Sequence, residues 1–472
     1  MADTPEFQHP DYEANHPRWT RCRDVVAGQD AVHASGVSYL PALSNQDTKE
    51  YDAYKKRTPF FNAAARTVDG MVGLVFRKNP ISEAPLALEP VLEDVTLTGV
   101  PATVLAHKLI QEVEVVGRVG VLVEYPRMSA QPTTLAEARA LNMRPYATIF
   151  AAESIINWRV QRVNNQMMPV LVVLKEQHQE VGQFEVSTQT QIRALVLDDG
   201  VYKQRVYRQE NSNTAKSEWV LVDEIVPVMN GVPMRFIPFQ MVNSDSLSFD
   251  VSKPPLLDLV DLNLSHYRTT ADLEHGAHFT GLPTPFIAGL QLEDGAKITI
   301  GSATAIIAPD PQATATYLEF TGQGLQALEA LLTRKEAQMA AIGARMLAPE
   351  KSGVEAAQTM EIKRAGETSV LASQANIVSM AMERILEWMA QWMGISGEIS
   401  YQLNTDYMPV RMTGQDLTAL VSSWQSGAIS KATLFYNLQA GEVIAPGKTL
   451  EEEQGEIELE APALGTLTDA NG

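Results

Sequence analysis

GQGLQALEALLTRKEAQMAAIGARML at 322–347, APEKSGV at 348–354 and EAAQTMEIKRAGETSVLASQANIVSMAMERILEWMAQWMG at 355–394 are the stretch on which the fold turns. In the first segment Leu325, Leu328, Leu332, Met339, Ile342 and Met346 recur at helical spacing, which predicts one apolar stripe along a helix. Pro349, Ser352 and Gly353 then interrupt it. The third segment has no proline and only Gly366 inside, so the pattern predicts a second helix, longer than the roughly 25 residues that ordinary globular domains use.

Working outward, residues 283–320 read as a compact strand-rich piece punctuated by Gly, Pro and Thr. Before it, PPLLDLVDLNLSHYRTTADLEHGAHF (254–279) lines Leu256, Val260, Leu264 and Tyr267 along one helical face. Between about 145 and 245 the pattern changes to short β-branched runs such as PVLVVLKEQ, TQIRALVLDD and GVYKQRVYR. The signals NNQ, DDG, QENSN and MNG separate these runs, which predicts an antiparallel β region. A helix at 101–116, opened by Pro101, and the strand GRVGVLVEYP precede it. From Trp19 to about 78 the pattern is helical, with Phe61, Ala64, Val68, Val72 and Val75 in phase. Residues 1–16, with Pro5 and Pro10 before Pro17, read as a loose arm. Past the long helix come two short ones, about 415–425 and 430–440, joined at Gly427. The segment 441–472 holds eight acids against one base and reads as a disordered tail.

The 472 residues carry 37 Lys plus Arg against 57 Asp plus Glu, a net charge of −20, with 45% apolar content. That is enough apolar material for the cores of two to four domains and excludes global disorder. The one thiol, Cys22, cannot form an internal disulfide, no apolar run reaches the length of a membrane span, and MADTPEFQHP does not read as a signal peptide. Tight non-specific DNA binding rests on Lys and Arg neutralising phosphates, and this balance argues against it.

Candidate chemical motifs fail on their own terms. GEVIAPGKT (441–449) has five residues between its first Gly and the Gly-Lys pair where a phosphate loop needs four, and it runs into Glu451, Glu452 and Glu453. FTGQGLQAL (320–328) has dinucleotide-like glycines at Gly322 and Gly324, yet no second strand or ribose-binding acid follows. His275 and His278 lie near Asp272 and Glu274 without a further ligand pair, and Cys22 lacks a recognisable base. Residues 415–440 have the rhythm of a helix-turn-helix, but the second helix brings only Lys431 as a base. The Met and Trp stripe of the long helix, with Trp388, Met389, Trp392 and Met393, reads as packing. No catalytic residue, cofactor site or metal site is expected; the alternatives are a nucleotide-dependent enzyme using one of the glycine motifs and a DNA-binding regulator using 415–440.

The order of these elements resembles the portal, or head-to-tail connector, proteins of tailed bacteriophages. The resemblance rests on RDVVAGQDAVHASGVSYLPAL, YDAYKKRTPFFNAAARTVDGMVGLVFRKNP, RPYATIFAAESIINWRV, PPLLDLVDLNLSHYRTTADLEHGAHFTGLPTPFIAG and LEALLTRKEAQMAAIGARML in succession. It implies an α+β fold with a β-rich wing at 17–253, stem helices at 254–279 and 324–347, and a clip at 280–323. The tunnel loop would be 348–356, and the long helix and a small crown 357–440. Glu350, Lys351, Ser352 and Gly353 would then face DNA, Phe286, Leu290 and Leu292 would meet partners, and Val260, Tyr267, Met339, Trp388 and Trp392 would pack between subunits. The implied protein is not an enzyme. It is a ring, usually of twelve copies, in the virion at a capsid vertex, assembled in the host cytoplasm. Its partners would be double-stranded DNA, capsid or scaffold protein, terminase and a tail adaptor, without a membrane or cofactor. An acidic conduit fits such a role, because like charge keeps DNA from sticking to its walls.

Overall fold

The computed structural model of the protein describes residues 4–127, 137, 141–210, 218–280, 284–288, 312–318, 323–345, 369–407, 414–441, 443–445 and 448–460. Helices and antiparallel strands occur in separate runs, the α+β class expected from the sequence. The chain divides into two compact units: Met1–Cys22, Thr67–Leu257 and Ala344–Gly472 form the first, Arg23–Arg66 and Asp258–Gly343 the second. Arg23–Arg66, expected within the wing, therefore groups with the helices that flank the strand insert.

At the start of the chain, α1 (Pro10–Ala27), α2 (Gln29–Ala34), α3 (Thr48–Arg57) and α4 (Ala63–Val75) replace one helical run. Gly28 parts the first two at φ 101°, which a side chain would resist. A capping box of Asp47 and Glu50 opens α3. α1 overturns the loose arm expected for residues 1–16. Pro10 sits in its first turn, where no N–H is needed, and buried Tyr12 and Trp19, ring centroids 5.7 Å apart, anchor the helix on either side of Pro17.

In the first unit, β1 (Ile81–Glu83) and α5 (Glu89–Glu93) lead into α6 (Ala102–Val116), which buries Leu105, Leu109, Ile110, Val113 and Val116. Gly117 ends α6 in the left-handed region at φ 76° and passes the chain to β2 (Arg118–Glu124). β2 is central in a three-stranded antiparallel sheet between β3 (Tyr146–Ala151) and β11 (Phe239–Asn243), and nearly every residue of it is buried, hence its unbroken apolar run. At Gly120 the backbone meets Phe239 so closely that a Cβ would lie 2.2 Å from its ring.

The β-rich stretch is a meander of β4 (Ile155–Val163), β5 (Gln166–Val181), β6 (Val186–Asp198), β7 (Val201–Glu210) and β8 (Glu218–Ile225), each pairing with the next. Asn164-Asn165 and Asp199-Gly200 turn two hairpins with both residues at positive φ, and Asn230-Gly231 does the same between β9 (Val228–Met229) and β10 (Val232–Pro233). The NNQ, DDG and MNG signals are these turns.

The second unit holds α7 (Leu257–Thr280), an antiparallel pair of β12 (Thr284–Ala288) and β13 (Thr314–Leu318), and α8 (Gln323–Arg345). Fully buried Asn263 on α7 caps α4: its Oδ1 accepts from the amides of Ala63 and Ala64 at 3.1 Å, and its Nδ2 donates to Phe61 O at 2.8 Å. Lys335 on α8 donates to Ser265 O and Thr269 Oγ1 on α7.

Two expectations about the rest of the first unit are corrected. The described part of the long helix is α9 (Val370–Met393), and it begins afresh: Ser369 has extended backbone angles and its side chain accepts from Ala372 N, so no single helix runs through 355–394. β14 (Ser400–Gln402) pairs with β1, and α10 (Gly414–Gln425) and α11 (Lys431–Ala440) form the short pair expected. In the acidic segment read as disordered, α12 (Leu450–Glu460) is a helix. Thr449 and Glu452 exchange hydrogen bonds in a capping box, and Glu451, Glu452 and Glu453 sit in the first turn, where the helix dipole favours carboxylates.

Candidate functional site

The expected DNA-facing residues Glu350, Lys351, Ser352 and Gly353 lie outside the described residues, as do Leu290 and Leu292. Phe286 is placed: it stands on β12 opposite Thr316, 53% exposed. Four of the five residues expected between subunits are already covered within this chain. Val260, Tyr267 and Met339 are buried in the second unit, where Tyr267 meets Phe60 edge-on at 5.6 Å. Trp392 is buried in the first, its Nε1 donating to Val228 O at 3.1 Å. Trp388 alone keeps a half-open face, 5.8 Å from the ring of Phe236. One chain's core thus satisfies four of the five, and a neighbour would have to use other side chains.

The failed motifs stay apart from any chemistry. Lys448 of the phosphate-loop look-alike is held by Glu453 at 2.5 Å and by Glu456, which pushes its ammonium up to about 12. Gly324 is inside the first turn of α8, and Gly322 lies outside the described residues. His275 stands edge-on to Tyr54 at 5.3 Å, and burial followed by the charge of Arg57 lowers its pKa. Among the described residues no group of three His, Cys, Asp or Glu could hold a metal ion, and no helix is long and apolar enough to cross a membrane.

Three charged features of the first unit were not singled out from sequence. Arg193 on β6 donates to Glu124 at 2.6 Å and to Glu176 at 2.8 Å, tying β2 to the meander. Burial opposes its charge, but the two carboxylates outweigh that and hold its pKa up; burial likewise raises Glu124, which Arg193 only partly offsets. The group borders a cleft of about 800 Å³ with Tyr125, Arg127, Tyr146 and Trp392. Arg118 is buried with its guanidinium 4.0 Å from the ring of Trp158, on which His9 stacks at 4.2 Å; burial lowers Arg118 to about 9. Glu114 on α6 is fully buried with neither carboxylate oxygen hydrogen-bonded, and burial raises it to about 8. A second cleft, about 820 Å³, is lined by Met167, Met168, Phe236, Trp388, Arg235 and Arg384 among others. These features brace sheets and shape surfaces; none pairs a nucleophile with a base.

Residues 255–393 match a domain family of unknown function (DUF4055), which covers α7, the β12–β13 strand pair, α8 and α9. No curated protein matches the sequence. Among solved structures, the neck of a native GTA particle computed with C12 symmetry is similar at 11% identity and a TM-score of 0.40, covering 80% of this chain and 89% of that one. The virion of a native gene transfer agent particle gives 12% and 0.38, covering 86% and 97%. Scores this low fall short of a shared fold, so nothing about this chain follows from what those particles are.

Proposed function

We propose that the chain is a structural protein of a tailed-phage-type particle, a portal-type connector whose copies close into a ring around a DNA conduit. The observation that carries the reading is the order of elements in the second unit: helix, antiparallel strand pair, helix. α7 and α8 flank β12–β13 in the order that the sequence resemblance assigns to stem, clip and stem. α8 adds support: its outer face exposes Ala327, Ala330, Leu331, Ala337 and Ala340, small and apolar side chains that suit a neighbouring copy better than water. The net charge of −20 suits a wall past which DNA slides, because fixed anions neither bind nor stall a polyanion. In this reading the chain has no catalytic role and no cofactor. It docks capsid or scaffold protein, terminase and a tail adaptor, and twelve copies is the number the resemblance implies.

Negative-stain microscopy and mass photometry of the purified full chain test the proposal. Rings with a central hole and a mass many times 51.7 kDa are expected. Uniform 51.7 kDa particles at micromolar concentration would overturn it.

A further inference from the structure

The β5–β6 hairpin outruns its sheet. β4 pairs with β5 no farther than Leu174, and β7 pairs with β6 no farther than Gln191, whereas β5 and β6 continue together to Val181 opposite Val186. From about 177 to 188 the two strands pair only with each other among the described residues, while at the root Gln189 Nε2 donates to Gln209 O of β7 at 2.8 Å; a two-stranded ribbon is marginal in water and an open template at its edges. Gly182 N donates to Glu185 O at 2.8 Å to close the tip, where Phe184 is 91% exposed and Val186, Glu180 and Glu185 are exposed too. Between Glu176 and Ile192 there is no Lys or Arg, so the tip is aromatic and acidic.

The opposite end of the same strand carries its complement. The 820 Å³ cleft beside the β4–β5 turn opens on Met167, 69% exposed, with Met168, Phe236 and Trp388 as its apolar lining. Arg235 and Arg384 stand exposed at it, with Asp250 the one carboxylate of its lining, and Arg384 Nη1 donates to Gln240 Oε1 at 3.4 Å. A cleft of this volume encloses ligands of drug size, and a flexible Met-rich lining adapts to an aromatic guest.

We propose that the Phe184 tip of one copy seats in the Met167–Phe236–Trp388 cleft of a second copy, with Glu180 and Glu185 facing Arg235 and Arg384. The occupant is fixed by distance and charge. From Met168 to the end of β5 is 13 residues, and at about 3.3 Å per residue the tip lies roughly 40–45 Å from its own cleft, out of its reach. The tip brings carboxylates and the cleft brings guanidinium groups, which steers one onto the other. A contact between two different patches is heterologous, and its repetition gives rings or filaments. The proposal deepens the ring reading and rests on it.

The test uses the full chain with Cys22→Ala, carrying Phe184→Cys and Met167→Cys, under mild oxidation, alongside mass photometry of charge variants. Expected are disulfide-linked multimers without an intrachain bridge. Glu185→Arg should raise the concentration needed for assembly at least tenfold, and Glu185→Arg with Arg235→Glu in the same chain should restore assembly. Because all of these side chains but Cys22 are exposed, circular dichroism should report unchanged folding. Rings that form unaltered by the variants, with no multimers on oxidation, would overturn this contact and leave the ring reading standing. Monomers throughout, wild type included, would overturn both.

Discussion

α8 and α9 are nearly equal in length, 23 and 24 residues, and use their side chains in opposite ways. α9 buries Leu371, Ala375, Val378, Met382, Ile385, Leu386 and Met389, packing on α6, β2 and β11. α8 buries Met339 alone among its described residues and leaves a face of alanine and leucine exposed. Both carry a helical apolar period, so the period does not separate a core helix from one that covers a single side. What separates them is the number of elements around each. A helix ringed by sheet and helix loses its apolar surface to its own chain, and a helix laid on one neighbour keeps half of it for water or a second copy.

The largest expected effect follows from that contrast. Leu386→Ala in α9 removes side-chain volume from a closed core and should cost about 2–5 kcal/mol of unfolding free energy in urea. Leu331→Ala in α8 should change the isolated chain by less than about 0.5 kcal/mol. Equal losses would show that α8 is as enclosed as α9.

Asn263→Ala sharpens the contrast from the other side, because it removes the polar anchor of the more open unit. Two amides and one carbonyl lose their partner inside that unit. The expected loss is about 2–3 kcal/mol, with faster hydrogen exchange at Ala63 and Ala64. Unchanged exchange there would show that α4 is held by packing alone.

The closed unit carries its own weakness in Glu114. Its folded pKa of about 8 lies above the ordinary 4.5, so the folded chain keeps a proton that the unfolded chain releases. Stability should therefore fall as pH rises from about 4.5 to 8 and level off above that. Glu114→Gln keeps the shape and removes the titration. It should flatten the profile and leave the variant about 1–3 kcal/mol more stable at pH 8.5, from unfolding curves at pH 5, 7 and 8.5. A profile parallel to the wild type would show that another group sets the slope.

Much of this is legible in the sequence. Asn-Asn, Asp-Gly and Asn-Gly placed the hairpins because those pairs tolerate positive φ, and Pro101 and Gly117 bracketed α6. Glu114 could have been read as well, since it lies four residues from Ile110 on the buried stripe of α6. Other features could not. Arg193 meets Glu124 from 69 residues away, so only the sheet packing reveals the pair. α1 survives an internal proline because Tyr12 and Trp19 are buried, which tertiary packing decides. Ser369 was readable as a cap, but the proline-free run hid the break.

The smallest expected effect lies in the open unit, at His266 of α7 and Glu336 of α8, 3.3 Å apart. Burial lowers the pKa of His266, and the carboxylate of Glu336 offsets part of that. The folded imidazole therefore takes up its proton at lower pH than the unfolded one. Its contribution is fully present above the ordinary value of 6.5 and is lost as pH falls through the lower folded pKa. Glu336→Gln removes the offset, widens the gap between the two states and should deepen the acid loss while leaving stability at pH 7.5 unchanged. Because Glu336 is 53% exposed, water screens the pair, and the added loss at pH 5 should stay near 0.5 kcal/mol. Hydrogen exchange of α7 amides at pH 5 and 7.5 reads it locally. A loss of several kcal/mol at pH 5 would mean that α8 shields this pair from water, and the open unit would then be closed where it touches α7.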